Sequence, residues 1–146
     1  MVISQLLDYE PSGTRTDLRF ALEYMTSAIK KRSTMFLVSD FVDSADYYKA
    51  LSVANHRHDV IAVQVYDKRE TQMPNVGLVR VTDAERGVQR WVDTASRRVR
   101  QTHDRWWYDR QQQMHDTLHR CGVDLAEVAT DEDYVKALMA LFRNRG

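Results

Sequence analysis

Cysteine is almost missing from this chain. Cys121 stands alone, which excludes an internal disulfide framework and a cysteine-built zinc site. Gly and Pro are scarce, five and two in 146 residues, and so little punctuation predicts long regular elements without linkers or low-complexity tracts. No apolar run approaches the roughly 20 residues of a membrane helix. The opening Met1-Val2-Ile3-Ser4-Gln5 lacks the basic region and long apolar stretch of a signal peptide. The cytoplasm is the default expectation. Charge of one sign is missing too: 21 Lys+Arg balance 21 Asp+Glu, whereas a protein that lives by neutralising phosphates usually carries a basic excess.

What is present is core. At 43% hydrophobic and 10% aromatic, the chain can fill one domain and is not intrinsically disordered. Val2, Ile3, Leu6 and Leu7 form a short amphipathic turn that stops at Pro11-Ser12-Gly13. Leu18, Ala21, Leu22, Met25 and Ile29 recur at helical spacing, with Thr16 placed to cap, Asp17 in the first turn and Lys30-Lys31-Arg32 at the end. The apolar runs Met35–Val38 and Val60–Tyr66 flank a second helix carrying Tyr47, Ala50, Leu51 and Ala54, with Asp43 or Ser44 as cap. Strands apolar on both faces around a helix predict a parallel βαβ unit, hence an α/β fold.

Val76–Thr82 and Val88–Val92 predict a hairpin around Gly87. A long polar helix should follow from Thr94 to about Arg120, with Trp107, Met114, Leu118 and Cys121 as its apolar stripe and Gly122 as its stop. Leu125–Ala129 reads as a last strand. Thr130 or Asp131 should cap a final helix that turns Tyr134, Leu138, Leu141 and Phe142 inward.

Four groups could carry chemistry. Asp40 ends a buried strand run, where ligands of open parallel sheets sit; with Ser39 and Asp43 it could hold a hard cation, or Asp40 and Asp43 could simply cap the next helix. His115 and His119 stand four apart, a zinc-compatible spacing, but no further ligands accompany them and a solvated pair is the expectation. His56 and His58 fall where a second-helix C-terminus favours imidazole. Finally, 97–110 holds five arginines against Asp104 and Asp109, around Trp106, Trp107 and Tyr108. Such a helix could stack single-stranded nucleic acid; the alternative is one inward tryptophan and a solvated arginine surface. No nucleophile elbow, Walker loop or dinucleotide glycine pattern occurs.

Taken in order, GTRTDLRFAL (13–22), FLVSDFVD (36–43), NHRHDVIAVQVYDKRE (55–70), MPNVGLV (73–79) and YVKALMALFRNR (134–145) resemble one family. It is the bacterial von Willebrand factor A-like proteins of domain of unknown function 58, commonly encoded beside MoxR-type AAA+ ATPases. The resemblance implies a Rossmann-like parallel sheet, here partial, with an inserted hairpin and a long C-terminal helix. It implies a metal-ion-dependent adhesion site in which Thr16 and Asp40 match two of the ligands, for Mg²⁺ or Mn²⁺ in the intact protein. The Asp-x-Ser-x-Ser loop of that site is not in this sequence, so residues 1–146 resemble the C-terminal part of the domain, and two ligands predict no tight metal binding by this chain. The implied function is a non-enzymatic protein-interaction module working with a MoxR-type ATPase in protein assembly or maturation. Nucleic-acid binding through 97–110 and a metal-assisted hydrolase using Asp40 are the alternatives. A strand at 35–39 deprived of its neighbour further predicts a homo-oligomer through that edge.

Overall fold

A computed structural model describes residues 17–42, 46–83 and 87–146. Thr16, Asp43, Ser44 and the amphipathic turn expected before Pro11 lie outside the described residues.

The first helix, α1, spans Leu18–Ala28 and buries Leu18, Leu22 and Thr26. Asp17 is its N-cap rather than a first-turn residue: the carboxylate accepts the Phe20 N–H at 2.8 Å. The backbone turns extended at Ile29, so Lys30–Arg32 lie beyond the helix and not in its last turn. Strand β1 (Thr34–Ser39) follows, then α2 (Tyr48–Arg57) and β2 (Asp59–Tyr66). Tyr47 is the N-cap of α2 without a side-chain bond, and Asp46 supplies the acceptor for the Tyr48 N–H at 3.0 Å.

After a single turn, α3 (Lys68–Thr71), come hairpin strands β3 (Leu78–Thr82) and β4 (Gln89–Asp93), the 24-residue α4 (Arg97–Arg120), β5 (Asp124–Ala129) and α5 (Tyr134–Arg145). The principal sheet has three strands in the order β1-β2-β5, all parallel; β3 and β4 form a separate antiparallel pair. The α/β expectation is met, with the hairpin set between strands of the parallel sheet.

β2 is central and buried over most of its length, as its continuous apolar sequence requires. One face carries the main core, with Leu22, Leu51, Val60, Met114 and Leu118. The other carries Ile61 and Ala126 against Leu141 and Leu138 of α5. Only that pair turns inward along α5. Tyr134 and Phe142, expected inside, are 62% and 48% exposed, because one helix on a three-stranded face buries a single narrow stripe. Asp133, not Thr130 or Asp131, caps α5 by accepting the Val135 N–H.

Gly122 ends α4 with φ +66°. Its N–H reaches the His119 carbonyl and that of Val123 reaches Leu118, the paired bonds of a Schellman turn that glycine permits without a Cβ penalty. Asn55 holds this turn to the sheet. Its amide donates to the carbonyls of Cys121 and Gly122, and its oxygen accepts the Val60 N–H.

Candidate functional site at the strand exits

At the carboxyl end of β1, two side chains fold the backbone onto itself. Ser39 Oγ accepts the Phe41 N–H at 3.0 Å and Asp40 Oδ1 accepts the Val42 N–H at 2.9 Å. Between them Phe41 takes φ +57°. A non-glycine residue there costs on the order of 1–3 kcal/mol and persists only where its surroundings enforce it. They do: the Phe41 ring is 6% exposed and packs on Tyr47 with centroids 6.3 Å apart, and Arg110 Nη2 donates to the Phe41 carbonyl at 3.3 Å. The Asp40 side chain is left facing solvent.

Beneath it lies a cavity of about 10 Å³ bordered by Asp40, Gln64, Trp107, Arg110 and Gln111, room for roughly one water-sized group. Gln64 Oε1 and Gln111 Oε1 are buried without a hydrogen-bond partner, and Gln64 is only 2% exposed. Gln64 had a signal in the sequence, as the polar residue inside an apolar strand run; Arg110 stood only among the arginines of 97–110 and Gln111 had no signal, since tertiary packing alone brings α4 to the exit of β1.

Carboxylates at the exits of β2 and β5 do form ion pairs. Asp67, after β2, caps α3 through the Arg69 N–H and pairs with the Arg69 guanidinium at 2.6 Å, hydrogen bonds that lower its pKa. Lys68 joins the β2 and β5 exits by bridging Glu132 at 2.6 Å and Asp131 at 3.3 Å, which raises its own pKa. Of the carboxylates directly after β1 and β2, Asp67 is held by Arg69 and Asp40 is in no ion pair among the described residues.

Of the two metal positions, then, Asp40 is exposed at a strand exit and Thr16 is outside the described residues. Among the described residues no three His, Cys, Asp or Glu side chains gather. One carboxylate does not satisfy the near-octahedral demand of Mg²⁺, so the described donors do not fit that ion. His115 is not simply solvated: its Nε2 lies 3.0 Å from Glu127 Oε1, because β5 runs beside the end of α4, and His119 is exposed. His56 is exposed in the last turn of α2, while His58 is the buried C-cap whose Nδ1 accepts the Ser33 N–H at 3.3 Å.

On α4 the two tryptophans diverge. Trp107 is half-buried against Tyr66, with ring centroids 6.3 Å apart, and Trp106 is 45% exposed under the Arg110 guanidinium. Arg100 is spent on the carbonyls of Thr94 and Ala95. Two of the five arginines in 97–110 therefore serve the fold.

A parallel sheet flanked by helices, with an acidic turn at the exit of an outer strand, defines an α/β protein with its candidate site at the carboxyl ends of the strands. The family follows from comparison. A model described as "Protein of unknown function DUF58" matches residues 1–113, and the chain belongs to that family. It is 27% identical over 135 residues to an uncharacterized protein of Mycobacterium avium, covering 92% of this chain and 79% of that one. Uncharacterized proteins of Mycobacterium bovis and Mycobacterium tuberculosis are 29% identical over 137 residues. The chain spans 42% of the length of these two relatives. No solved structure matches it. Among the described residues, no helix is long and apolar enough to cross a membrane.

Proposed function

We propose that this chain is a non-enzymatic protein-interaction module of von Willebrand A-like, Rossmann-type architecture, and that it meets its partner at the exit of β1. The observation that supports this most is the Asp40 turn: an exposed carboxylate without a cationic partner among the described residues, on a strained backbone held by Phe41 packing and by Arg110. Rigid presentation of one charge suits recognition. Catalysis asks for more, and the described side chains bordering the Asp40 cavity include no second carboxylate, histidine or lysine that could serve as a base. The partner class that the family resemblance supplies is a MoxR-type AAA+ ATPase, in assembly or maturation of other proteins.

The proposal extends to the edge of the sheet. β1 pairs with β2 on one side and has no strand on its other side among the described residues. Phe36 and Val38 on it are 51% and 63% exposed, and Phe36 meets the exposed Phe142 edge-on at 6.2 Å. An apolar unpaired strand of this kind is a template for self-association. The test is biolayer interferometry of the chain against a MoxR-type ATPase from the same genome. Saturable binding that Asp40→Ala weakens at least about tenfold supports the reading; no binding by the wild type overturns it.

A further inference from the structure

The hairpin and α4 enclose a cavity unrelated to the Asp40 turn. Register places Val79, Val81, Arg90 and Val92 on one face of the ribbon and Leu78, Arg80 and Trp91 on the other. Val81, Arg90 and Val92 face the amino-terminal half of α4 across a space of about 620 Å³, within the roughly 300–1,000 Å³ of small-ligand sites. Its apolar lining is Met73, Val81, Val92, Val99 and Trp106. Among the described residues its polar lining is one-signed: Arg90 from the ribbon, Arg98 and His103 from the helix, together with Thr102, and no carboxylate. In a chain of balanced charge this is a local cationic concentration.

Three further observations favour an anion there. Neither Arg90 nor Arg98 forms an ion pair among the described residues. His103 Nδ1 is buried without a hydrogen-bond partner; its nearest carboxylate, Asp104, lies at 3.5 Å, an ion pair only when the imidazole is protonated. Arg98 and Val99 belong to the first turn of the 24-residue α4, so the end of the cavity that they line lies beside the positive helix end.

We infer that this cavity binds a small amphipathic anion, an apolar acyl or aryl body with a single carboxylate, sulfonate or phosphate head, the body between Val81, Val92, Val99 and Trp106 and the head at Arg90 and Arg98. Such a ligand would join a two-stranded ribbon, marginal by itself, to the helix beside it.

The test is fluorescence titration of the full 146-residue chain with anilinonaphthalene sulfonate and with its uncharged counterpart N-phenyl-1-naphthylamine. Decanoate and a thymidine oligonucleotide serve as competitors. Expected are one saturable sulfonate site, at least about tenfold tighter than for the uncharged dye, displaced by decanoate and weakened about tenfold or more in Arg90→Gln/Arg98→Gln. Arg105→Gln, an exposed arginine of α4 outside the cavity lining, should bind as the wild type does. Equal affinity for both dyes, an unchanged double variant, or an equal loss in Arg105→Gln would overturn the inference. Displacement by the oligonucleotide but not by decanoate would also overturn it, in favour of nucleic acid.

Discussion

Arg110 and Phe41 are joined across 69 residues of sequence: the guanidinium of one donates to the main-chain carbonyl of the other at 3.3 Å. Through this bond the middle of α4 holds the left-handed residue that aims Asp40 outward. Arg110→Ala should cost about 1–2 kcal/mol in urea unfolding, a little below the range for buried hydrogen bonds to charged groups because the side chain is only half-buried. It should also broaden the amide resonances of residues 40–42. A variant with unchanged stability and an unchanged turn would show that Phe41 packing alone holds the turn.

The donor set at the β1 exit predicts weak metal binding. Calorimetric titration with Mg²⁺ or Mn²⁺ should give dissociation constants of about a millimolar or weaker, since one carboxylate meets little of an octahedral shell. Micromolar affinity abolished by Asp40→Ala would contradict this, and would mean that ligands outside the described residues complete the site.

Trp106 and Trp107 should separate cleanly on mutation. Trp107 packs on Tyr66 and borders the Asp40 cavity, so Trp107→Ala should cost about 2 kcal/mol, less than the roughly 3–5 kcal/mol of a fully buried aromatic. Trp106→Ala should cost under about 1 kcal/mol and should instead weaken occupancy of the hairpin cavity. The reverse order of stability losses would refute the assigned faces of α4.

The periodicities carried much of this fold. The runs at 35–38, 60–66 and 125–129, each short and apolar, mark the three parallel strands, and the spacing of Trp107, Met114, Leu118 and Cys121 gives the buried side of α4. Capping was less legible, because Asp17, Asp46 and Asp133 each compete with a neighbour of similar chemistry. Asp40 stood out in sequence by ending a strand. Its support did not: Arg110 and Gln111 arrive from about 70 residues away, and the bridge from Lys68 to Asp131 and Glu132 is visible only in the fold.

Cys121 provides a pH test. Burial pushes its thiol pKa up, with Arg120 partly opposing. The folded chain therefore holds the proton to higher pH than the unfolded chain does, so stability falls as pH rises past the ordinary thiol range near about 8.5. The difference in stability between wild type and Cys121→Ser should shift against the wild type from pH 8 to pH 10, and iodoacetamide should label native Cys121 more slowly than the urea-unfolded thiol. A native thiol alkylated as fast as the unfolded one would contradict the direction.

The most direct measurement of the central claim compares two strand-exit carboxylates in one binding assay. Asp40 faces solvent without a cation among the described residues, whereas Asp67 is held by Arg69. Against the MoxR-type ATPase, Asp40→Asn, which removes the charge and keeps the shape, should lose at least about tenfold in affinity. Asp67→Asn should bind within about twofold of the wild type. Equal losses in both variants, or a loss confined to Asp67→Asn, would contradict an interaction site built on the Asp40 turn.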